Sequence, residues 1–372
     1  MKKDRKATHR FFVPMFLIFV LGLGAVSFFK FETFLITGKA DYNEWNAQLG
    51  SKTETKFASN FFKKFSFINL NGFMRRVLRQ REMNGVIKLN NGYLLTSIEY
   101  VDDEKLKSYA QNIKRAKDWL SDMHIEFIYA ITPYTESKFD PQLPQGFEDF
   151  GNDDLDRLCH FLSESGIDTV DFRQELHDDG IDQYKMMYRT DHHWNTEMGF
   201  YAYCTLSSII EEKLCIKIDP MLTDISNYTI STYKNWHLGS RGQRTGAFFA
   251  GMDDFDLITP KFETAIKQDG EVGSFESKIV DYAPLKTKNP MSRYTYDSVL
   301  GRSLAHFENV NSGNDKRIFL VTDSMGKAVA PFLILSCKEF GANWGTFDCE
   351  EIERFKPDIV IFLQYGQNAA LC

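Results

Sequence analysis

Three short apolar runs set the strongest limit on how this chain can fold. Ile125-Glu-Phe-Ile-Tyr-Ala-Ile131, Arg317-Ile-Phe-Leu-Val321 and Asp358-Ile-Val-Ile-Phe-Leu363 are of strand length and rich in β-branched and aromatic residues. Helical spacing separates them. Leu106, Ala110, Ile113, Ala116 and Leu120 recur every three to four residues between Glu104 and Asp122, and Asp153 to Glu164 reads the same way. Gly166 to Phe172 reads as a short strand. Asn195 is a good N-cap for a long helix with Tyr201, Leu206, Ile209 and Leu214 on its apolar side. A further helix is expected over Gly326 to Phe340. Strands alternating with helices predict an α/β domain with a mainly parallel sheet.

With 372 residues, 43% of them hydrophobic, the chain can build one large domain or two modest ones around a real core. Its formal net charge is −7, although Lys2, Lys3, Arg5, Lys6 and Arg10 outnumber Asp4 at the start. The rest is therefore more acidic still. Nucleic-acid binders usually carry a basic face, so no nucleic acid is expected as a partner. Phe11 to Phe29 is an almost unbroken apolar run without a charge, just long enough to cross a bilayer as a helix. The basic residues before it predict a cytoplasmic N-terminus. Pro14 lies near the start of the run, where a helix tolerates it. The run is long for a signal peptide, which favours an uncleaved signal-anchor. Ala25-Val26-Ser27 resembles a cleavage site, so a signal peptide and secretion are the alternative. Either way, the remainder faces the outside. The expected division is residues 1–30 as cytoplasmic tail and transmembrane helix, 31–82 as stalk, and 83–372 as the α/β domain.

Within that domain, Gly85 to Ile98 looks like a hairpin turning at Asn90-Asn91-Gly92. Residues 222–313 are the least regular and read as an insertion, including the glycine-rich Gly239-Ser-Arg-Gly-Gln-Arg-Thr-Gly246. The cysteines, Cys159, Cys204, Cys215, Cys337, Cys349 and Cys372, show no zinc-ligand spacing and define no disulfide framework. Cys204 and Cys337 fall in apolar helical patterns, where a buried thiol is the simplest reading.

Two segments carry chemistry. Ser324 lies between an apolar strand and a helix, where open α/β sheets place nucleophiles and where helix N–H groups can hold an oxyanion. A serine there can equally be a plain N-cap. It needs a base, because a hydroxyl is a weak nucleophile at neutral pH. Tyr188-Arg-Thr-Asp-His-His-Trp-Asn195 offers one: Asp191 can orient His193 if the loop folds them together. His192 is expected to point elsewhere, since adjacent side chains in an extended segment diverge. Trp194 can pack beneath the loop or give a sugar ring an apolar platform. A metal site is not expected, because His124, His160, His177, His237 and His306 show no organised spacing and no aspartate-rich motif lies upstream. The residues alone leave three readings open: a serine hydrolase-type site, a non-catalytic binding protein using Tyr188, Trp194 and Tyr365, or a structural role for the whole motif.

The Tyr188–Asn195 segment resembles the signature of the bacterial DHHW proteins. These are similar in turn to the SGNH-like acetyltransferases of alginate O-acetylation, the AlgJ/AlgX group. Asn84-Gly-Val-Ile with Asn91-Gly-Tyr-Leu94, the strand ending at Thr132-Pro133, Asp323-Ser324 and Pro357-Asp-Ile-Val360 add support from roughly Phe73 onward. The resemblance implies an SGNH-hydrolase-like three-layer α/β/α sandwich with Asp191, His193 and Ser324 as a catalytic triad. Candidates for substrate contact are Trp194, Tyr188, Arg189, Ser240 and Asn368, with Gly239, Ser240 or Asn368 also considered for the oxyanion. It further implies a membrane-anchored O-acetyltransferase acting on an exported polysaccharide, without a cofactor or metal. A membrane-bound O-acyltransferase is the implied acetyl supplier. A carbohydrate O-acetylesterase is the alternative if water is the acceptor.

Overall fold

The structure is a computed structural model that describes residues 64–286, 299–300, 306–364 and 370–371, with isolated positions before residue 26. The chain divides into Met1–Asn71 and Gly72–Cys372. In the first unit the described residues are helical. Most of the Phe11–Phe29 span falls outside the described residues, and among those described no helix is long and apolar enough to cross a membrane.

The second unit is organised by one sheet. Its strands and an accompanying ribbon are, in chain order, β1 (Glu126–Ile131), β2 (Thr169–Asp171), β3 (Tyr228–His237), β4 (Asp253–Pro260), β5 (Ile266–Gln268), β6 (Glu271–Gly273), β7 (His306–Asn309), β8 (Arg317–Thr322), β9 (Glu339–Trp344) and β10 (Ile359–Gln364). The sheet order is β2-β1-β10-β8-β9-β7-β5-β6. The first five in that order run parallel, and β7, β5 and β6 extend the edge antiparallel. Alternation along the parallel strands sends side chains to two cores. Phe127, Tyr129, Ile131, Phe319, Val321, Val360 and Phe362 point to one face, where α1 (Asp103–Asp122) and α2 (Gly151–Glu164) cover them. Ile128, Ala130, Ile318, Leu320, Ile359, Ile361 and Leu363 point to the other, under α3 (Thr196–Leu214) and α4 (Ala330–Ser336). The result is a three-layer α/β/α sandwich with a mainly parallel sheet. The helices start where the chain supplies a cap: Asp102 accepts from the Lys105 N–H and Asn195 from the Met198 N–H.

The expected Gly326–Phe340 helix is shorter. A 3₁₀ turn over Ser324–Ala328 leads into Ala330–Ser336, and the chain then becomes β9. Ala330 to Ser336 is buried on every side, so its apolar run gives no helical stripe whose end could be read. Residues 228–260 hold a long antiparallel ribbon, β3 with β4, whose register breaks between Tyr233 and His237. Most of β3 is exposed, and its sequence alternates weakly. The hairpin strands Val86–Lys88 and Leu94–Leu95 pair as expected, and Leu94 N–H donates to the Arg189 carbonyl at 2.9 Å. That bond ties the hairpin to the Tyr188–Asn195 segment. The described cysteines are free thiols, with Cys337 buried. Burial pushes the Cys204 thiol up to about 11 and raises that of Cys337.

Candidate active site

β8 ends at Thr322 on the carboxyl edge of the sheet, and Ser324 opens the following turn, half-buried. The turn is closed locally. Asp323 accepts the Met325 N–H at 2.9 Å through its side chain and the Gly326 N–H at 3.1 Å through its carbonyl. Gly326 has no room for a side chain: a Cβ there would lie 2.4 Å from Thr322 Cγ2. One contact comes from outside, where Trp194 Nε1–H donates to the Met325 carbonyl at 2.9 Å.

The Asp-His-His segment is the tip of a tight turn, not an extended strand. Met187 and Trp194 form an antiparallel bridge, Tyr188 N–H donates to the His193 carbonyl at 3.1 Å, and Asn195 N–H to the Met186 carbonyl at 2.9 Å. The turn brings Asp191, His193 and Ser324 into one chain. His193 Nδ1 is 3.2 Å from Asp191 Oδ1, and His193 Nε2 is 2.6 Å from Ser324 Oγ. A carboxylate only accepts, so the neutral imidazole carries its proton on Nδ1 and turns the Nε2 lone pair to the serine hydroxyl. The same curvature corrects the expectation for His192. Its Nδ1 also lies 2.9 Å from Asp191 Oδ1, and its ring packs on that of His193 with centroids 3.8 Å apart.

Asp191 is fully buried, and a segment remote in sequence surrounds it. Ser240 donates from Oγ to Oδ1 at 3.0 Å and from N–H to Oδ2 at 3.3 Å, while His237 Nε2 sits 3.2 Å from Oδ2. Gly239 N–H donates to Thr190 Oγ1 at 2.9 Å. A Cβ on Gly239 would stand 2.3 Å from Asp191 Cβ, so only glycine lets this backbone come so close. Arg241, buried, donates from Nη1 to the Asp191, Leu94 and Thr135 groups at 3.0, 2.8 and 2.7 Å. Burial acts to raise the Asp191 pKa, but hydrogen bonding by His192 and His193 and the close approach of His237 outweigh it. The carboxyl is held well below the usual carboxylate range.

Several residues expected to touch substrate do other work. Trp194 has 0% exposure and packs edge-on to Phe172, so its ring offers no face to a sugar. Tyr188 is buried against His237, with ring centroids 4.5 Å apart. Arg189 reaches away, donating from Nη2 to the Met252 carbonyl at 2.7 Å. Ser240 and Gly239 are engaged with the Asp191 turn through their N–H groups. Met325 and Gly326, the neighbours of Ser324, have their N–H groups bound within the turn. Asn368 and Tyr365 lie outside the described residues. His237 was not singled out from sequence, because its one signal, a histidine ending a polar strand, is common. Asp191, His192 and His193 each put a ligand atom within 4.8 Å of the others. The hydrogen bonds described above already engage these atoms.

The chain is an α/β sandwich with an acid–imidazole–hydroxyl array at the carboxyl edge of its sheet. Residues 88–221 match the family described as SGNH hydrolase-like domain, acetyltransferase AlgX. Among solved structures, PatB1 of Bacillus cereus is similar with a TM-score of 0.61 at 18% identity, covering 75% of this chain and 95% of PatB1. A DHHW family protein from Eubacterium siraeum is similar with a TM-score of 0.54 at 17% identity, covering 76% of this chain and 91% of its own. No curated protein matches the sequence. The family match and these neighbours bear out the resemblance read from the Asp-His-His-Trp segment.

Proposed function

We propose that this chain is an O-acetyltransferase that works through an acetyl-Ser324 intermediate and acts on an exported polysaccharide. The observation that carries the reading is the 2.6 Å contact between His193 Nε2 and Ser324 Oγ, with Asp191 on the far side of the imidazole. The match of residues 88–221 to an acetyltransferase family supports acetyl as the acyl group. In the first half-reaction His193 Nε2 takes the Ser324 proton as Oγ attacks the acetyl carbonyl, and the imidazolium returns that proton to the departing donor oxygen. Asp191 stabilises the cation formed between these steps. In the second half a sugar hydroxyl, deprotonated by the same nitrogen, attacks the acetyl ester, and the proton then goes back to Ser324. The oxyanion draws on the Ser324 N–H and on a donor outside the turn, since Met325 and Gly326 are already engaged. Anchoring by the Phe11–Phe29 span and acetyl supply from a membrane-bound O-acyltransferase belong to the same proposal. They would place the site outside the cell, where such a polysaccharide is.

The test is turnover of a chromogenic acetyl ester by the full chain, with and without an oligosaccharide acceptor, beside Ser324→Ala and His193→Ala. PatB1 has a structure with a sulfonyl adduct, so a sulfonyl fluoride is the labelling reagent of choice. Turnover lost in both variants, with acceptor-dependent acetylated sugar in the wild type, supports transfer. Turnover with water alone as acceptor moves the protein to the esterases. No turnover and no labelling of Ser324 overturns the serine mechanism and leaves a polysaccharide-binding role.

A further inference from the structure

We infer that His237 is a positioning residue: its ring sets the rotation of the Asp191 carboxylate and so keeps His193 in the tautomer and plane that activate Ser324. The inference rests on the proposed serine mechanism and extends it to a residue that touches neither substrate nor nucleophile.

Three observations lead to it. First, His237 has 0% exposure, and the polar atom recorded beside its ring is Asp191 Oδ2, 3.2 Å from Nε2. Nδ1 has no hydrogen-bond partner among the described residues. A polar ring in that position carries an energetic penalty at its bare nitrogen. Facing an acceptor, Nε2 is the atom that bears the proton. The strict hydrogen-bond geometry is not met at Nε2. At 3.2 Å from Oδ2 the ring nitrogen is nevertheless close enough to be attracted to the carboxylate.

Second, the strand is bent to deliver this side chain. The β3–β4 register breaks between Tyr233 and His237, and Asn235 within the break has φ 49°. A bulge of this kind re-aims the residues that follow it, and Asn tolerates the left-handed region better than most residues. Asn235 N–H is held by Asp254 Oδ1 at 2.8 Å. The remainder of β3 is mostly exposed, whereas His237 at its end is enclosed.

Third, the two carboxylate oxygens are unevenly served. Oδ1 has His192 N–H at 2.7 Å, Ser240 Oγ at 3.0 Å and two imidazole Nδ1 atoms at 2.9 and 3.2 Å. Oδ2 has the long Ser240 N–H contact at 3.3 Å and His237. Without His237 only the long Ser240 N–H contact remains on Oδ2, and the carboxylate loses one of the contacts that fix its rotation relative to the His193 ring.

The experiment compares full-length wild type with His237→Phe, which keeps a ring but removes the donor, and His237→Gln, whose amide nitrogen can reach the same place. Kinetics on the acetyl ester, sulfonylation rate at Ser324 and the imidazole proton signal of His193 are read together. His237→Phe is expected to lower kcat and the sulfonylation rate about ten- to a hundredfold, with KM changed less than about twofold. The His193 Nδ1–H signal should broaden or move, and His237→Gln should recover most of both. In the Asp191→Asn background His237→Phe should add little, since the two act as one unit. If His237→Phe does not fold, His237→Asn, whose amide stops short of Oδ2, is expected to show the same kinetic loss. Wild-type kcat and an unmoved His193 signal in a folded His237→Phe or His237→Asn protein overturn the inference. If the wild type itself neither turns over nor is sulfonylated, the serine mechanism fails, and the His193 signal alone then decides whether His237 positions Asp191.

Discussion

The Ser324 turn and the Asp191 turn meet across a 2.6 Å contact but are assembled in opposite ways. The Ser324 turn is made by its sequence neighbours: Asp323 closes it, Gly326 lets it tighten against Thr322, and a strand of the sheet fixes where it begins. The Asp191 turn is closed by its own short bridge but walled in by residues remote in sequence. His237, Gly239, Ser240 and Arg241 surround it, and Asp253 accepts the Thr190 N–H at 2.8 Å and the Thr190 hydroxyl at 2.6 Å. Local hydrogen bonds close short loops at little entropic penalty, whereas contacts from far along the chain form only with the whole fold. Ser324 is thus placed by secondary structure and Asp191 by tertiary structure. Mutations far from the chemistry should reach the site through the acid end.

The largest effects test whether the two turns act as one machine. Ser324→Ala and His193→Ala should each lower turnover of an acetyl ester by at least about a thousandfold, and the double variant should be little worse than either. Additive losses in that cycle would show that the two residues do not work together. Next in size is Gly239→Ala, which probes the tertiary side alone. Its Cβ would meet Asp191 Cβ at 2.3 Å and Oδ2 at 2.5 Å, so either the carboxylate or the backbone must move. A destabilisation of about 1–3 kcal/mol is expected, with a fall in kcat out of proportion to it. Wild-type kcat in a folded Gly239→Ala enzyme would remove the claim that this backbone shapes the site.

Trp194→Phe touches a strut that, beside the His193–Ser324 contact, links the two turns. It keeps most of the ring volume but removes the donor to the Met325 carbonyl, a 2.9 Å bond inside the core. Leaving that carbonyl unpaired should lower stability by about 1–3 kcal/mol, measured by denaturant unfolding, while kcat falls severalfold. Equal stability would mean that Trp194 serves packing alone. A large rise in KM would return it to the role of sugar platform.

How much of this could be read from the sequence follows the same division. The floor of the sheet was legible because β1, β8 and β10 are apolar runs of strand length, and α1 and α3 because their spacing and the Asn195 cap are local signals. Ser324 was legible for the same reason: a strand, a short turn and a helix follow one another in the chain. Asp191 and His193 were legible as a pair two residues apart. Their support was not. β3 carries no clear alternation because most of it faces solvent, so nothing marks His237 as the residue that leaves the surface. Trp194 and Tyr188 look like ligand aromatics in a polar loop, and only the fold shows that the loop turns them inward. The supposed divergence of His192 assumed an extended backbone. The bridge between Met187 and Trp194 makes it a turn instead.

The smallest effect is a pH dependence that separates the two ends by charge. Asp191 is the charged member of the tertiary turn, and its carboxyl in the folded protein is held well below the usual carboxylate range. An unfolded chain therefore binds a proton at Asp191 at a pH where the folded protein does not. That difference stabilises the fold fully above about pH 4, and the contribution is lost as the pH falls through the lower folded value. Asp191→Asn lacks the term. The gap in unfolding free energy between wild type and Asp191→Asn should be flat from neutral pH down to about 5 and should narrow below about 4. A gap that stays constant into strong acid would mean that the surrounding histidines do not favour the anion. A gap that narrows already near neutral pH would instead place the titration on the imidazoles, and the acid end would then owe its shape to their charge, not to the fixed carboxylate they surround.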